Sequence, residues 1–163
     1  MPVNPIPAAQ RVLDQASACR WRARQPGRVV FTNGVFDLLH AGHIVALEGA
    51  RALGDVLIVG VNSDRSAQRL AKGAGRPFVP APDRALLVAA LRAVDCVVLF
   101  EEDTPASLIA DLDPHVLVKG GDYDPDVLPG RDTVLARGGD VTVLPLLPGR
   151  STTALVERIR GTT

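Results

Sequence analysis

Five short apolar runs recur along the chain, each separated from the next by a stretch with helical periodicity. The runs lack the alternating polar residues of a half-solvated sheet, so we expect both faces of their sheet to be covered. They lie at 28–32, 56–61, 96–100, 116–119 and 141–145. The helical patterns lie at 43–53, 64–71, 83–93, 105–112, 131–138 and 152–160. This order predicts an α/β fold with right-handed crossovers, a Rossmann-like, doubly wound parallel sheet of five strands with helices on both faces.

The residues before the first strand carry a helical pattern of their own. Apolar residues recur there at the spacing of one helix face, at Val12, Ala16, Cys19 and Ala23. Pro26-Gly27 should end this helix. We therefore expect residues 1–27 to form an N-terminal extension with one helix, followed by a single globular domain over residues 28–163.

Charge and cysteine content narrow the class of protein. The chain has 163 residues, with 18 Lys and Arg against 18 Asp and Glu, so it lacks the net positive charge of a protein that binds nucleic acid through a basic face. Its two cysteines, Cys19 and Cys96, lie far apart and fit a reducing compartment. No run approaches the ~20 apolar residues of a membrane span, and the first residues do not resemble a signal peptide. We expect a cytoplasmic protein with neither a nucleic-acid nor a membrane partner.

The loop over residues 32–43 is the most informative segment, because it follows a predicted strand and opens into a helix. Free backbone N–H groups and the positive dipole end at a helix start favour a bound phosphate. The rings of His40 and His43 can donate hydrogen bonds to phosphoryl oxygens, and Gly42 leaves room for their approach because it has no Cβ. This pattern predicts stabilisation of charge on a phosphorus centre and on a leaving pyrophosphate.

Two other interpretations of the histidines stay open. They could cap the helix or be buried without a catalytic role. Their spacing also occurs in zinc sites, but His115 precedes a strand at its opposite end, and no cysteine or third histidine lies in a neighbouring loop. Zinc is therefore the weaker alternative.

We call the loop over residues 32–43 the histidine loop. Other loops should lie beside it, since ligands bind outside the carboxyl ends of strands in such sheets. Loops 62–64, 119–124 and 145–152 are predicted to share one pocket with it. Glycines in the 119–124 loop permit close approach of backbone to a ligand. Ser151 or Thr152 could cap the last helix, bind phosphate, or do both.

The motif Gly34-x-Phe36-Asp37-x-x-His40-x-Gly42-His43 resembles that of the cytidylyltransferase-like branch of the HxGH nucleotidyltransferases. Within that branch, residues 28–160 are similar to the adenylyltransferase domain of ADP-heptose synthases. The further segments that carry this likeness are Phe31–Gly34, Val61–Asp64, Lys72-Gly73, Arg76-Pro77, Phe100–Pro105, Val118–Tyr123 and Ser151–Thr153. The resemblance implies transfer of AMP from ATP to D-glycero-D-manno-heptose 1-phosphate, giving ADP-heptose and pyrophosphate.

Cofactor and partners are implied by the same resemblance. Mg²⁺ should arrive with ATP, held mainly by the triphosphate and water. Many relatives carry this domain behind a sugar kinase, for which 163 residues leave no room, so a separate kinase should supply the sugar phosphate. The family also suggests a homodimer.

The resemblance assigns roles to individual residues. It places His40, His43 and Lys72 in catalysis. It assigns nucleotide binding to Thr32, Asn33, Gly34, Phe36, Gly42, Arg92, Lys119, Gly121, Asp122, Ser151, Thr152 and Thr153. It assigns substrate binding to Asp37, Asn62, Asp64 and, again, Lys72. A structural role is an equal alternative for Arg92, and no side chain is assigned to a metal.

Three other functions remain as alternatives. A cytidylyltransferase acting on glycerol 3-phosphate or a similar polyol or choline phosphate would share the histidine motif. A non-catalytic nucleotide-binding module would bind ATP without releasing pyrophosphate. An interaction scaffold is disfavoured, because the polar residues converge on one edge of the predicted sheet.

Overall fold

The computed structural model describes residues 6–70 and 75–161, which form a six-stranded parallel sheet. The strands are β1 (Val12–Leu13), β2 (Val29–Gly34), β3 (Val56–Asn62), β4 (Cys96–Phe100), β5 (Val116–Gly120) and β6 (Asp140–Leu144). The helices are α1 (Gln15–Ala23), α2 (Ala41–Arg51), α3 (Asp64–Arg69), α4 (Ala81–Ala89), α5 (Ala106–Leu112), α6 (Arg131–Ala136) and α7 (Thr152–Arg160). Short 3₁₀ turns lie at Ala8–Arg11 and Pro125–Val127. The predicted fold class is confirmed.

The sheet has one more strand than the five predicted. Its order is β1-β4-β3-β2-β5-β6, and Val12 and Leu13 of β1 pair in parallel with Val97 and Val98 of β4. Two residues give no periodic signal, so this strand could not be recognised as one. Val12 therefore belongs to a strand rather than to the predicted N-terminal helix.

The helix α1 begins after Asp14, whose carboxylate accepts the N–H of Ser17 at 2.8 Å. It buries Ala18, whereas Ala16 and Ala23 of the predicted apolar face are exposed. The prediction of that face was wrong because small alanines carry little burial energy, and contacts with the sheet decided the rotation of the helix.

Two apolar cores cover the two faces of the sheet. Residues of α2 and α4 pack on one face, and residues of α1, α5 and α6 pack on the other, which makes the sheet doubly wound. Within the described parts of the chain, no helix is both long and apolar enough to cross a membrane.

The strand order creates a crevice beside β2. From β2 the chain proceeds outward through β3 to β4, and it then returns to place β5 on the other side of β2. Loops leaving the carboxyl ends of β2 and β5 diverge at this point, which is where open α/β sheets bind ligands.

Candidate active site

A cavity of about 360 Å³ opens at the carboxyl ends of β2 and β5. We call it the main cleft. It collects residues from the histidine loop, from the loop after β5 and from the start of α7, three of the four loops that were predicted to share one pocket; residues 62–64 do not line it. The predicted site residues that line it are Thr32, Asn33, Gly34, Phe36, Asp37, His40, Gly42, His43, Lys119, Gly121, Asp122, Ser151 and Thr152.

The two histidines stack against each other at the start of α2. His40 is the N-cap residue, and its ring centroid lies 3.9 Å from that of His43, with 22° between the ring planes. The backbone N–H of His40 donates to Nδ1 of His43 at 3.4 Å. A neutral imidazole that accepts at Nδ1 carries its proton on Nε2. His43 is thus set in the tautomer whose Nε2–H can donate to a ligand in the cleft.

The ring of His40 is partly withdrawn from water. Its Nδ1 atom is buried and has no hydrogen-bond partner among the residues that the structure describes. Burial lowers the pKa of His40 below its ordinary value of 6.5, since desolvation disfavours the charged form. The ring of His40 is therefore neutral at neutral pH, so it can both donate and accept hydrogen bonds.

This burial predicts a pH dependence of stability. The unfolded chain binds a proton at His40 near pH 6.5, and the folded chain binds it only at lower pH. The contribution of His40 to the free energy of unfolding is therefore fully present above pH 6.5 and declines as the pH falls below it. Urea denaturation at a series of pH values between 8 and 5 should show this decline, and His40→Gln should reduce its slope. An equal slope in the variant would contradict the assignment.

Gly42 is required by the packing of the same turn. A Cβ at this position would lie 2.9 Å from Cε1 and Nδ1 of the His40 ring and 3.0 Å from the carbonyl oxygen of Arg150. Such distances force either the ring of His40 or the backbone before α7 to move.

Gly42→Ala should consequently lower turnover at least about tenfold, because a shift of the ring by a fraction of an ångström disturbs near-attack geometry. Gly49→Ala is the matched control in the same helix, since its Cβ would meet only a terminal methyl of Leu144, at 3.1 Å. Steady-state kinetics on both variants test this expectation. Equal activity of the two variants would show that the room at Gly42 is not needed.

The histidine loop stores backbone strain. Phe36 and Leu38 have φ values of 53° and 49°, a region that bulky residues rarely adopt. The carbonyl oxygen of Asp37, between them, accepts the hydroxyl of Thr152 at 2.7 Å. This contact joins the loop to the first turn of α7, so both helix starts that face the cleft are held together.

The carboxylate of Asp37 makes contacts that its predicted part in substrate binding did not include. It is 5% exposed, and its oxygens accept the backbone N–H groups of Phe78 at 3.0 Å and Val79 at 3.1 Å. These bonds tie the segment before α4 to the histidine loop. Asp37 lines the main cleft, but the structure shows its carboxylate engaged in positioning backbone.

Arg84 is a buried residue next to the site that the sequence did not single out. Its side chain is fully buried, its Nε donates to the carbonyl of Val79 at 2.8 Å, and its Nη1 donates to the carbonyl of Val35. Its Nη2 donates to Asp64 at 2.7 Å. The sequence did hold a signal, because Arg84 occupies the same face of α4 as the buried Ala81 and Val88.

Lys119 stands at the edge of the main cleft. Its Nζ donates to both the carbonyl and the side-chain oxygen of Asn33 at 3.1 Å, and it lies 5.2 Å from the ring centroid of Tyr123. The contact with Asn33 links the ends of β2 and β5. It places a cation where those two strands open into the cleft.

The first turn of α7 faces α2 across the main cleft. Ser151 caps α7 by accepting the N–H of Ala154 at 3.1 Å, so the capping role predicted for it is present. Arg76, also in the cleft lining, donates to Thr153 at 3.4 Å. Arg76 and Arg150 were not predicted as site residues, although both bring positive charge to the lining.

Known proteins share the sequence and the fold of this chain. The profile of the cytidylyltransferase-like family covers residues 31–154. The chain belongs to this family. It is 54% identical over 132 residues to the bifunctional protein HldE of Pelobacter propionicus, covering 81% of this chain and 27% of that protein. It is 58% identical over 140 residues to HldE of Photorhabdus laumondii, covering 85% and 29%. The chain thus spans less than a third of the length of these relatives.

Solved structures support the fold assignment. The lipopolysaccharide core biosynthesis protein of Thermoplasma volcanium superposes with a TM-score of 0.62 at 28% identity, covering 74% of this chain and 97% of that one. Pantoate-beta-alanine ligase of Francisella tularensis superposes with a TM-score of 0.54 at 14% identity, covering 87% and 68%, and this likeness concerns the fold alone.

Not every residue assigned from the cytidylyltransferase-like pattern lies in the main cleft. Arg92 has a side chain that is 94% exposed, and it contacts Glu48 at 3.7 Å. Asn62 lines a neighbouring cavity, and Asp64 is the partner of Arg84. Thr153 reaches the cleft lining through Arg76. Lys72 lies outside the described residues.

His115 lies at the opposite end of the sheet from the histidine pair. Its Nδ1 accepts the N–H of Val29 at 2.9 Å, which joins the beginning of β5 to that of β2. This agrees with the position from which the sequence analysis disfavoured a zinc site.

Proposed function

We propose that this chain is an adenylyltransferase that moves AMP from ATP to D-glycero-D-manno-heptose 1-phosphate, giving ADP-heptose and pyrophosphate. The observation that carries the proposal is the stacked His40–His43 pair at the start of α2, facing the start of α7 across one cleft. Two helix N-termini and two imidazoles suit a triphosphate. Similarity to the HldE proteins and to a lipopolysaccharide core biosynthesis protein supports the sugar acceptor.

The reaction is an in-line displacement at the α-phosphorus. An oxygen of the sugar phosphate forms a bond to that phosphorus while the bridging oxygen to the β-phosphate leaves with pyrophosphate. A phosphate oxygen is already anionic, so no general base is needed. Catalysis then consists of positioning and of stabilising charge as it develops.

Each group of the main cleft has a part in this mechanism. Nε2–H of His43 donates to an oxygen of the α-phosphate or the bridging oxygen. Free N–H groups in the first turn of α7 bind the β- and γ-phosphates, with Arg76 and Arg150 nearby. Lys72 supplies a cation to the reacting phosphates, a role that rests on its place in the family motif.

Mg²⁺ belongs to the substrate in this proposal, since it enters with the triphosphate. Among residues 6–70 and 75–161, no group of three or more His, Cys, Asp or Glu side chains is placed to hold a metal ion. We further propose a cytoplasmic homodimer that receives its sugar phosphate from a separate kinase, with ADP-heptose serving lipopolysaccharide biosynthesis.

Pyrophosphate release by the purified protein with Mg²⁺ tests the proposal. ATP, CTP and GTP are each paired with both anomers of heptose 1-phosphate, with hexose 1-phosphates and with glycerol 3-phosphate. Turnover confined to ATP and a heptose 1-phosphate is the expected result. Turnover with CTP and glycerol 3-phosphate would replace the proposed reaction by a cytidylyltransferase. ATP binding without any turnover would favour a nucleotide-binding module.

A further inference from the structure

The backbone just before α4 is tied down by two buried side chains. Asp37 accepts the N–H groups of Phe78 at 3.0 Å and Val79 at 3.1 Å, and the carbonyl of Val79 accepts Nε of Arg84 at 2.8 Å. Three neighbouring backbone groups thus have partners inside the protein. The path of the chain is therefore fixed immediately after Arg76, which lies two residues before Phe78.

The guanidinium of Arg76 reaches from this fixed backbone into the main cleft. It lies 5.8 Å from the ring centroid of Phe78, a distance at which an aromatic face attracts a cation. Its Nη2 donates to the hydroxyl of Thr153 at 3.4 Å. One such bond occupies one of the five N–H donors of a guanidinium, so donors remain for a ligand. Arg76 is thus directed to the start of α7 with the capacity to bind an anion there.

The start of α7 offers further donors beside this guanidinium. Ser151 is the N-cap residue and accepts the N–H of Ala154. The N–H groups of Thr152 and Thr153 lie between these two residues, and N–H groups in that position have no partner within a helix. They also form the positive end of the helix dipole. Arg76 therefore adds a full positive charge at a place that already favours an anion.

Asp37 links Arg76, α7 and the histidine pair. Its carboxylate holds the backbone after Arg76, and its own carbonyl oxygen accepts the hydroxyl of Thr152 at 2.7 Å. Asp37 also lies in the histidine loop, three residues before His40. Contacts of this one residue therefore fix where the guanidinium and the start of α7 lie relative to the histidines. Fixed donors of this kind stabilise developing charge without having to reorganise.

The charge that develops in the proposed reaction is on the leaving group. When the bond between the α-phosphorus and the bridging oxygen breaks, its electron pair stays on that oxygen, and pyrophosphate leaves with the added negative charge. No proton is transferred in this step. Donors on the side of the β- and γ-phosphates, away from the attacking oxygen, are the ones that stabilise this charge. The guanidinium of Arg76 and the start of α7 are donors of this kind on one side of the main cleft.

We propose that Arg76 is a catalytic residue that binds the departing pyrophosphate, and that Asp37 is its positioning residue. Arg76 donates to oxygens of the β- and γ-phosphates together with the N–H groups of Thr152 and Thr153. The buried carboxylate of Asp37 acts through Arg76 by holding its backbone. This inference rests on the proposed function and adds the side chain that receives the charge of the leaving group.

Binding of magnesium pyrophosphate tests the role of Arg76 without turnover. In calorimetric titrations, Arg76→Ala should lower the affinity for pyrophosphate at least about tenfold, because charge-assisted hydrogen bonds are lost. Arg65→Ala is the matched control and should leave this affinity unchanged, since Arg65 lies outside the cleft lining, with a side chain that is 83% exposed and contacts Glu101 at 3.6 Å. Equal affinity of Arg76→Ala and the wild type, or no pyrophosphate binding by the wild type, would overturn the proposal.

This measurement separates the inference from the proposed function, because it needs neither the acceptor nor a particular base. A weakened affinity in Arg76→Ala would support the role of Arg76 even if the enzyme proved to use CTP or another acceptor. The affinity for AMP or CMP, whichever binds the wild type, should change less than about twofold, since a nucleoside monophosphate lacks the β- and γ-phosphates. An equal loss for pyrophosphate and the monophosphate would contradict the specific contact.

A double-mutant cycle tests the role of Asp37. Asp37→Asn keeps the size of the side chain and the backbone bond to Thr152, but it replaces one acceptor oxygen with a donor. It should lower pyrophosphate affinity at least about fivefold in the wild-type background and less than about twofold in Arg76→Ala, because a positioning residue acts only while its partner is present. Circular dichroism establishes that the variants are folded. Equal factors in the two backgrounds, as a merely structural role would give, or no effect in either, would refute the role of Asp37.

Discussion

His43→Ala lowers kcat by at least about 100-fold with the fold intact, as expected for removal of one preorganised donor to charge developing on phosphorus. The His43 ring is set by the backbone N–H of His40 at its Nδ1 and by stacking on the His40 ring. Single-turnover formation of the nucleotide sugar measures the chemical step directly.

A matched histidine variant controls for general effects of the substitution. His115→Asn removes an imidazole at the opposite end of the sheet, where its Nδ1 accepts the N–H of Val29. We expect some loss of stability from this change and nearly unchanged kcat. Circular dichroism and urea denaturation establish that both variants are folded. Turnover near that of the wild type in folded His43→Ala would remove the histidine from the mechanism.

Arg84→Leu has the largest expected effect on stability. The change leaves the carbonyls of Val35 and Val79 without donors and removes the partner of Asp64. Loss of one member of a buried network costs about 3 kcal/mol, with Asp64 able to recover part of its solvation because its side chain is 41% exposed. A chain of this size should then melt roughly 6–12 °C lower. Thermal and urea unfolding provide the measurement.

Arg84→Leu should also lower turnover, because the bonds of Arg84 hold both the histidine loop and the segment that carries Arg76. Arg84→Lys keeps the charge but cannot reproduce three directed donors, so it should fall between the wild type and Arg84→Leu in stability. Arg92→Leu is the stability control, since an exposed pair at 3.7 Å contributes no more than about 0.5 kcal/mol. Equal losses for the two leucine variants would refute the role given to Arg84.

The sequence was sufficient for the fold class and for most of the main cleft. Strands β2 to β5 are largely buried and contain runs of apolar residues, so the sequence pattern was enough to recognise them. The topology of a doubly wound sheet then brought together loops that are more than 100 residues apart, as in the contact between Asp37 and Thr152. Patterns of neighbouring residues were enough here, because the loops of the main cleft directly follow strands or precede helices that such patterns predict.

Contacts between distant segments could not be predicted in the same way. The partners of the Asp37 carboxylate lie 41 and 42 residues further along the chain, and a motif does not reveal that its acid accepts backbone N–H groups. The rotation of α1 towards Ala18 depends on packing against α5 and β4. The cavity that Asn62 and Thr104 both line depends on two neighbouring strands ending side by side, a placement that periodicity alone does not give.

The short strand β1 has a consequence for self-association of the chain. Its two residues pair with Val97 and Val98 of β4, whose sequence Cys-Val-Val-Leu-Phe has no charge and high β-propensity. Such a strand, left at an open sheet edge, exposes unpaired N–H and C=O groups to a second molecule and favours aggregation. A chain shortened to begin after Asp14 would leave β4 in that position. Val12 and Leu13 thus cover the open edge of β4. A segment far from the main cleft therefore limits aggregation of the chain.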